Sequence, residues 1–252
     1  MDFDVFIPCA PKDENKLPYV IDSIRQNVSY GSGTIHVSSP SGTVLPCPGV
    51  AFYKDEDVLP FGRSGWACEQ AWNYQQCLKL FQEVTSYLYL VVDCDTIFNR
   101  PVEFFENGKM VWHTSKRKFN KPYFDFQMQM IGIGNVLGKS AIANMGFYDR
   151  NLVRAMLADN GYATKDDFIR KAQSLTSRAC YMCEQNLYAS YCHAKHPGHY
   201  IFRNIVSPAD IGKAQRDPGK IMWTKEEIEN NIKSMKKKNY AAFSLHSWFQ
   251  DV

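Results

Sequence analysis

Residues 87–92, Tyr-Leu-Tyr-Leu-Val-Val, form an unbroken apolar run rich in aromatic and β-branched side chains. A short run without polar alternation predicts a strand covered on both faces, as in the middle of a parallel sheet. Asp4-Val5-Phe6-Ile7-Pro8 predicts a first strand of similar character, and residues 34–38, 110–114 and 200–205 predict further strands. Between them the period changes. Residues 14–27 place Leu17, Val20, Ile21 and Ile24 on one helical face. Gly65-Trp66 opens a second helical stretch that runs to about residue 82, and residues 150–160, 165–174, 183–194 and 225–238 predict others. Glycine, proline and serine crowd residues 39–49, which marks a loop. Strands alternating with helices, without a repeat or a long linker, predict one α/β domain over 1–252, a central mostly parallel sheet flanked by helices.

Bulk composition narrows the function classes. Charged residues are 22% of the 252, and the net charge of +3 is too small for a nucleic-acid groove, though it suits a small anionic substrate. No apolar stretch reaches the length of a membrane span. The first residues, Met1-Asp2-Phe3-Asp4, are acidic and not the basic start of a secretory signal. Eight cysteines without such a signal predict free thiols and a cytoplasmic location.

The chemistry begins where the buried strand ends, at Asp93-Cys94-Asp95. Open α/β sheets bind ligands beyond the carboxyl ends of their strands. If the chain stays extended there, alternate residues share a face and both carboxylates converge. Two hard anionic oxygen donors suit Mg²⁺ or Mn²⁺, and such an ion suits a diphosphate. Arg63 and Lys79 are candidate cations for the same diphosphate, and Gln75, Gln76 and Lys79 lie within one turn of each other on the second helix.

Taken in order, Phe6-Ile7-Pro8, Gly65-Trp66, Gln75-Gln76-Cys77-Leu78-Lys79-Leu80, Val92-Asp93-Cys94-Asp95-Thr96, Glu184-Gln185-Asn186-Leu187-Tyr188 and Ser244-Leu245-His246-Ser247-Trp248 resemble a nucleotide-sugar glycosyltransferase of the GT-A fold, of the small bacterial and viral type with a D-x-D motif. That resemblance implies a Rossmann-like domain. Its residues 1–110 would bind the nucleotide sugar, and residues 111–252 would bind the acceptor and close the metal site with the chain's C-terminal part. It implies a UDP- or GDP-type sugar donor, a glycan or other hydroxyl acceptor, and Mn²⁺ or Mg²⁺. Asp93, Asp95 and His246 would be the metal ligands. The first loop, with Pro8, Ala10, Lys12 and Asp13, would hold base and ribose, and Arg63, Gln76, Lys79 and Asp93 would face the rest of the donor. Asp95 would serve catalysis through the metal, and Glu184 would be the general base of an inverting reaction, with Asp149 and Asp125 as weaker candidates.

Three other readings compete. The same fold could hold a nucleotide sugar or a glycan without turning it over. A nucleotidyltransferase would need a glycine-rich phosphate loop after the first strand, and Pro8-Cys9-Ala10-Pro11-Lys12 has no glycine. Cys180, Cys183, Cys192, His193, His196 and His199 have the residue types of a structural zinc site. One helix through 183–194 would, however, separate Cys183 from Cys192 by about 13 Å.

Overall fold

The structure is a computed structural model, and it describes residues 1–40, 42, 47–61, 66, 70–115, 120–177, 179–205 and 223–246. Its centre is a five-stranded sheet of β1 (Asp4–Pro8), β2 (Ile35–Ser39), β3 (Val50–Lys54), β4 (Leu88–Val92) and β8 (Met145–Asp149). The spatial order is β3-β2-β1-β4-β8. The first four strands are parallel, and β8 runs antiparallel to β4 with Leu88 opposite Asp149 and Val92 opposite Met145. Val5, Phe6 and Ile7 of β1 and Tyr89, Leu90, Val91 and Val92 of β4 are all buried. Both strands lie inside the sheet with side chains covered on each face, which explains their unbroken apolar runs.

The predicted helix at 14–27 is two elements. A 3₁₀ helix, Pro11–Lys16, leads into α1 (Leu17–Asn27), and each carries proline near its start, where the missing N–H costs nothing. Leu17, Val20, Ile21 and Ile24 are buried as their spacing predicts. A short α2 (Asp55–Val58) follows β3, and α3 (Gln70–Phe81) leads back toward β4. Because α3 runs down to β4 and β4 runs up to Asp93, the start of α3 lies at the carboxyl end of the sheet.

After β4 the chain forms β5 (Thr96–Phe98), β6 (Phe105–Glu106) and β7 (Lys109–Thr114), then α4 (Lys121–Ile131). Beyond β8 come α5 (Arg150–Asp159), α6 (Lys165–Leu175), α7 (Glu184–Lys195), β9 (Tyr200–Asn204), α8 (Lys225–Lys236) and β10 (Ala242–Ser244). Strands β6, β7 and β9 make a second sheet, in which β7 and β9 are parallel. The two proposed halves of the chain interleave: β8 pairs with β4, and β10 pairs antiparallel with β5.

Helix α7 is buried from Glu184 through Cys192. A helix covered all round has no polar face to show in the sequence. Its buried polar residues work as connectors. Gln185 Oε1 accepts from the Ala143 N–H at 2.9 Å and Asn186 Oδ1 from the Ala141 N–H at 2.8 Å, which ties the strand approach to β8 against the start of α7. No helix among the described residues is long and apolar enough to cross a membrane.

Candidate active site

The chain does not stay extended past β4. Thr96 N–H donates to Asp93 O at 2.9 Å, closing a tight turn over Asp93-Cys94-Asp95. This corrects the expectation that alternation along an extended strand aims both carboxylates at one point. Cys94 turns inward instead, with its sulfur 2.9 Å from that of Cys9, and burial pushes its thiol pKa well above the ordinary value. The two aspartates face different partners.

Asp93 meets α3 and α7. Lys79 Nζ lies 2.6 Å from Asp93 Oδ1 and 3.5 Å from Glu184 Oε1. The Lys79 and Glu184 side chains are 4% and 1% exposed while that of Asp93 is 27% exposed, so Asp93 is the solvent-facing member of the cluster. Burial works against the Lys79 charge, but the Asp93 and Glu184 carboxylates overcome it and raise the pKa above its ordinary value. For Glu184, burial raises the carboxyl pKa and Lys79 draws it only part of the way back. Lys79 is thus not a solvated surface lysine. Beside it on α3, Gln76 is buried, and its Nε2 has no hydrogen-bond partner among the described residues.

Asp95 meets the late part of the chain. The β5–β10 ribbon sets Ser244 opposite Thr96, and Leu245 N–H donates to Asp95 O at 2.8 Å. That register brings His246 Nδ1 to 2.8 Å from Asp95 Oδ2. Burial opposes the Asp95 charge, yet His246, with Lys16 and Lys12 farther off, holds the carboxyl well below the usual range. Its other oxygen, Oδ1, is buried without a hydrogen-bond partner among the described residues.

Among the described residues no three acidic, cysteine or histidine side chains gather closely enough to hold a metal ion. The donor chemistry at Asp95 nevertheless fits one. A buried Asp95 carboxylate oxygen without a hydrogen-bond partner among the described residues, beside the His246 imidazole, offers donor types found at Mn²⁺ sites.

The first loop reaches the site beside the segment that carries His246. Pro8 is the buried end of β1, and Ala10 precedes the 3₁₀ helix. Lys12 Nζ stands 4.0 Å from Asp13 Oδ2. Asp13 is itself mostly buried, and its Oδ1 takes Lys16 Nζ at 2.6 Å. Lys16 is fully buried and also donates to Leu245 O at 2.6 Å, which ties the first loop to the segment carrying His246. Sequence reasoning passed over Lys16; its one signal is the i, i+3 spacing from Asp13.

This pair yields a stability prediction. Lys16→Met removes the cation and leaves a buried carboxylate, a change that costs about 3–5 kcal/mol. Burial raises the Asp13 pKa, and Lys16 offsets part of that rise. Without Lys16 the folded pKa rises further above the unfolded value, so stability falls as pH rises through that interval. The deficit in denaturant midpoint should therefore be large at pH 7 and smaller near pH 4, and Asp13→Asn should recover much of it. Equal deficits at both pH values would refute the account.

The remaining candidates scatter. Arg63 lies outside the described residues. Asp149 is opposite Leu88 at the far end of β4 from Asp93, where its carboxylate accepts from the Asn151 N–H and caps α5. Asp125 pairs with Lys121 on α4. Cys183 and Cys192 sit at the start of α7 and near its end, and Cys180 takes a contact from Gln129 instead. A cavity of about 310 Å³ lined by Arg150, Arg154 and Lys165 also lies toward the Asp149 end, away from the aspartate cluster.

No protein-family model matches the sequence, and a search of curated proteins finds no significant match. Solved structures do match in shape. The bifunctional glycosyltransferase WbbM, in its apo structure, aligns over 98% of this chain and 46% of its own with a TM-score of 0.55 and 11% identity. The galactosyltransferase LgtC, in complex with donor and acceptor sugar analogs, aligns over 98% of this chain and 90% of its own, with a TM-score of 0.48 and 11% identity. Mouse xyloside xylosyltransferase 1 aligns over 98% of both chains, with a TM-score of 0.46 and 9% identity. With its central, mostly parallel sheet flanked by helices, this chain has a GT-A-like fold, the fold of the glycosyltransferase WbbM.

Proposed function

We propose that this chain is a metal-dependent glycosyltransferase that moves a hexosyl or pentosyl group from a nucleoside-diphosphate sugar to a hydroxyl of a glycan acceptor. The observation that carries this reading is the convergence, past the carboxyl end of β4, of Asp93 with Lys79 and Glu184 and of Asp95 with His246. Asp93, Asp95 and His246 would hold Mn²⁺ or Mg²⁺. When bound, such an ion supplies Lewis-acid stabilisation of the charge that develops on the departing diphosphate.

The chain's own residues do the rest. Lys79 fixes the Asp93 carboxylate and places positive charge under the donor diphosphate. The first loop, Pro8, Ala10, Lys12 and Asp13, borders the nucleoside, and Lys16 holds Asp13 in place. Gln76, whose buried amide nitrogen has no partner among the described residues, would donate to the sugar donor. Glu184 takes the proton of the acceptor hydroxyl at a carboxylate oxygen; the raised pKa of a buried carboxyl suits a base.

A donor screen tests the proposal. The protein is incubated with UDP- and GDP-linked sugars and Mn²⁺, and nucleoside diphosphate release is measured with and without a chelator. One donor should be turned over, and chelation should stop it. Donor binding without release would instead support a binding module, and metal-independent release would overturn the metal reading.

A further inference from the structure

The described surface displays one stacked aromatic group beside the aspartate cluster. Trp72 on α3 is 38% exposed, and its ring lies 6.4 Å from that of Tyr123 on α4 with the planes within 8°. Tyr123 in turn meets Tyr181 edge-on, at 5.0 Å and 85°. The other exposed large apolar residues, Met1, Tyr87, Met128 and Val136, have no such stack among the described residues.

The exposure is held in place rather than incidental. Trp72 Nε1 donates to Met182 O at 2.8 Å, and Met182 N–H donates to Asn73 Oδ1 at 3.1 Å, so two bonds fasten the start of α3 to the segment entering α7. Tyr181 and Met182 run directly into Glu184. Trp72 precedes Lys79 by seven residues on α3, which puts it about 10 Å farther out along the helix axis. The rings therefore stand beyond the Lys79–Asp93–Glu184 cluster, on the Met182–Glu184 side. The first loop reaches the cluster from the other side, through Cys9 and Cys94.

We infer that Trp72, Tyr123 and Tyr181 form an acceptor subsite for a second sugar ring, so that the preferred acceptor is an oligosaccharide rather than a monosaccharide. This rests on the transferase reading above. A pyranose offers an apolar C–H face that packs on an indole or phenol ring. About 10 Å, the axial rise from Lys79 to Trp72, is the scale of one to two sugar rings, so a ring on Trp72 leaves its neighbour at the cluster's solvent-facing Asp93. Binding energy taken up remote from the reacting hydroxyl then positions that hydroxyl.

The test is kinetic, with the full chain, Mn²⁺ and whichever donor the screen identifies. Acceptors are a methyl glycoside and the β-linked di- and trisaccharides that extend it. The parent should show a KM about tenfold lower for the disaccharide than for the monosaccharide, the upper range for one aromatic contact. Trp72→Ala should abolish that advantage, and Trp72→Phe should keep most of it. Should Trp72→Ala fail to fold by circular dichroism, Tyr123→Ala reports on the same subsite. An advantage that survives both alanine changes would overturn the subsite, as would equal KM values in the parent. A weakened affinity for nucleoside diphosphate alone, with the acceptor KM ratio unchanged, would also overturn it, since the rings would then stack the base. If no donor is turned over, calorimetric titration of the oligosaccharides separates the two failures: binding that Trp72→Ala removes sustains the subsite while the transferase reading falls.

Discussion

Asp95→Ala should reduce donor turnover by at least about 10³-fold, the worth of several kcal/mol of charge stabilisation at the diphosphate, while the protein stays folded. The structural reason for selectivity is that the backbone at Asp95 is held independently of the side chain. Leu245 N–H bonds to Asp95 O, and Phe243 and Ser244 pair with Ile97 and Thr96. What the substitution removes is the carboxylate that faces His246 and, with it, the buried oxygen that has no partner among the described residues. Turnover is read as nucleoside diphosphate release at saturating Mn²⁺, and folding as the thermal midpoint. Activity within tenfold of the parent would end the metal reading of Asp93-Cys94-Asp95. An inactive variant that also melts far below the parent would assign the carboxylate to structure, as the anchor of the ribbon that carries His246.

That ribbon also marks where the sequence stops being readable. Strand β4 and the aspartates after it stood out because an interior parallel strand is apolar throughout and the polar residues begin abruptly at its end. Strand β1 and the buried face of α1 were legible for similar local reasons. The partners of the aspartates were not. Lys79 precedes Glu184 by 105 positions and Asp95 precedes His246 by 151, and no local pattern encodes such a pairing. The turn over residues 93–96 broke the alternation argument because Thr96 N–H bonds back to Asp93 O.

Strands β3, β5 and β8 escaped notice for different reasons. β3 follows a glycine- and proline-rich stretch and lies at the sheet edge, only partly covered. β5 has three residues and owes its existence to β10. β8 contains Gly146 and runs straight into the Asp149 cap of α5, so its five residues read as the approach to a helix. Missing β8 had a cost at the site. Without its antiparallel direction nothing in the sequence says that Asp149 lies at the wrong end of the sheet to serve as a base. Helix α4, which brings Tyr123 to Trp72, begins inside the basic run of residues 116–122, and its proline sits in the first helical turn, so the local composition hides its start.

Glu184→Gln should lower the transfer rate by about 10²–10⁴-fold, the usual contribution of a general base, with donor affinity little changed. The isosteric amide keeps the start of α7 and cannot accept a proton. Two pH effects separate a base from a strut. In the parent, the rate should fall as pH drops through the Glu184 pKa. That limb lies above the ordinary glutamate value, because burial raises the pKa and Lys79 offsets only part of the rise. In Glu184→Gln this limb should disappear from the residual rate. The second effect is on stability. A folded pKa above the unfolded one means that the folded state binds the proton more tightly, so this group's contribution is lost as pH rises from the unfolded value through the folded one. A neutral amide is free of that loss, so the variant should melt no lower than the parent at pH 7. A pure positioning role predicts another pattern: with Lys79 left to Asp93 alone, donor KM would rise, the acid limb would persist and the rate at saturating donor would recover. Observing that pattern would remove Glu184 as the base and, with Asp149 at the far end of β4, would favour a reaction that retains configuration.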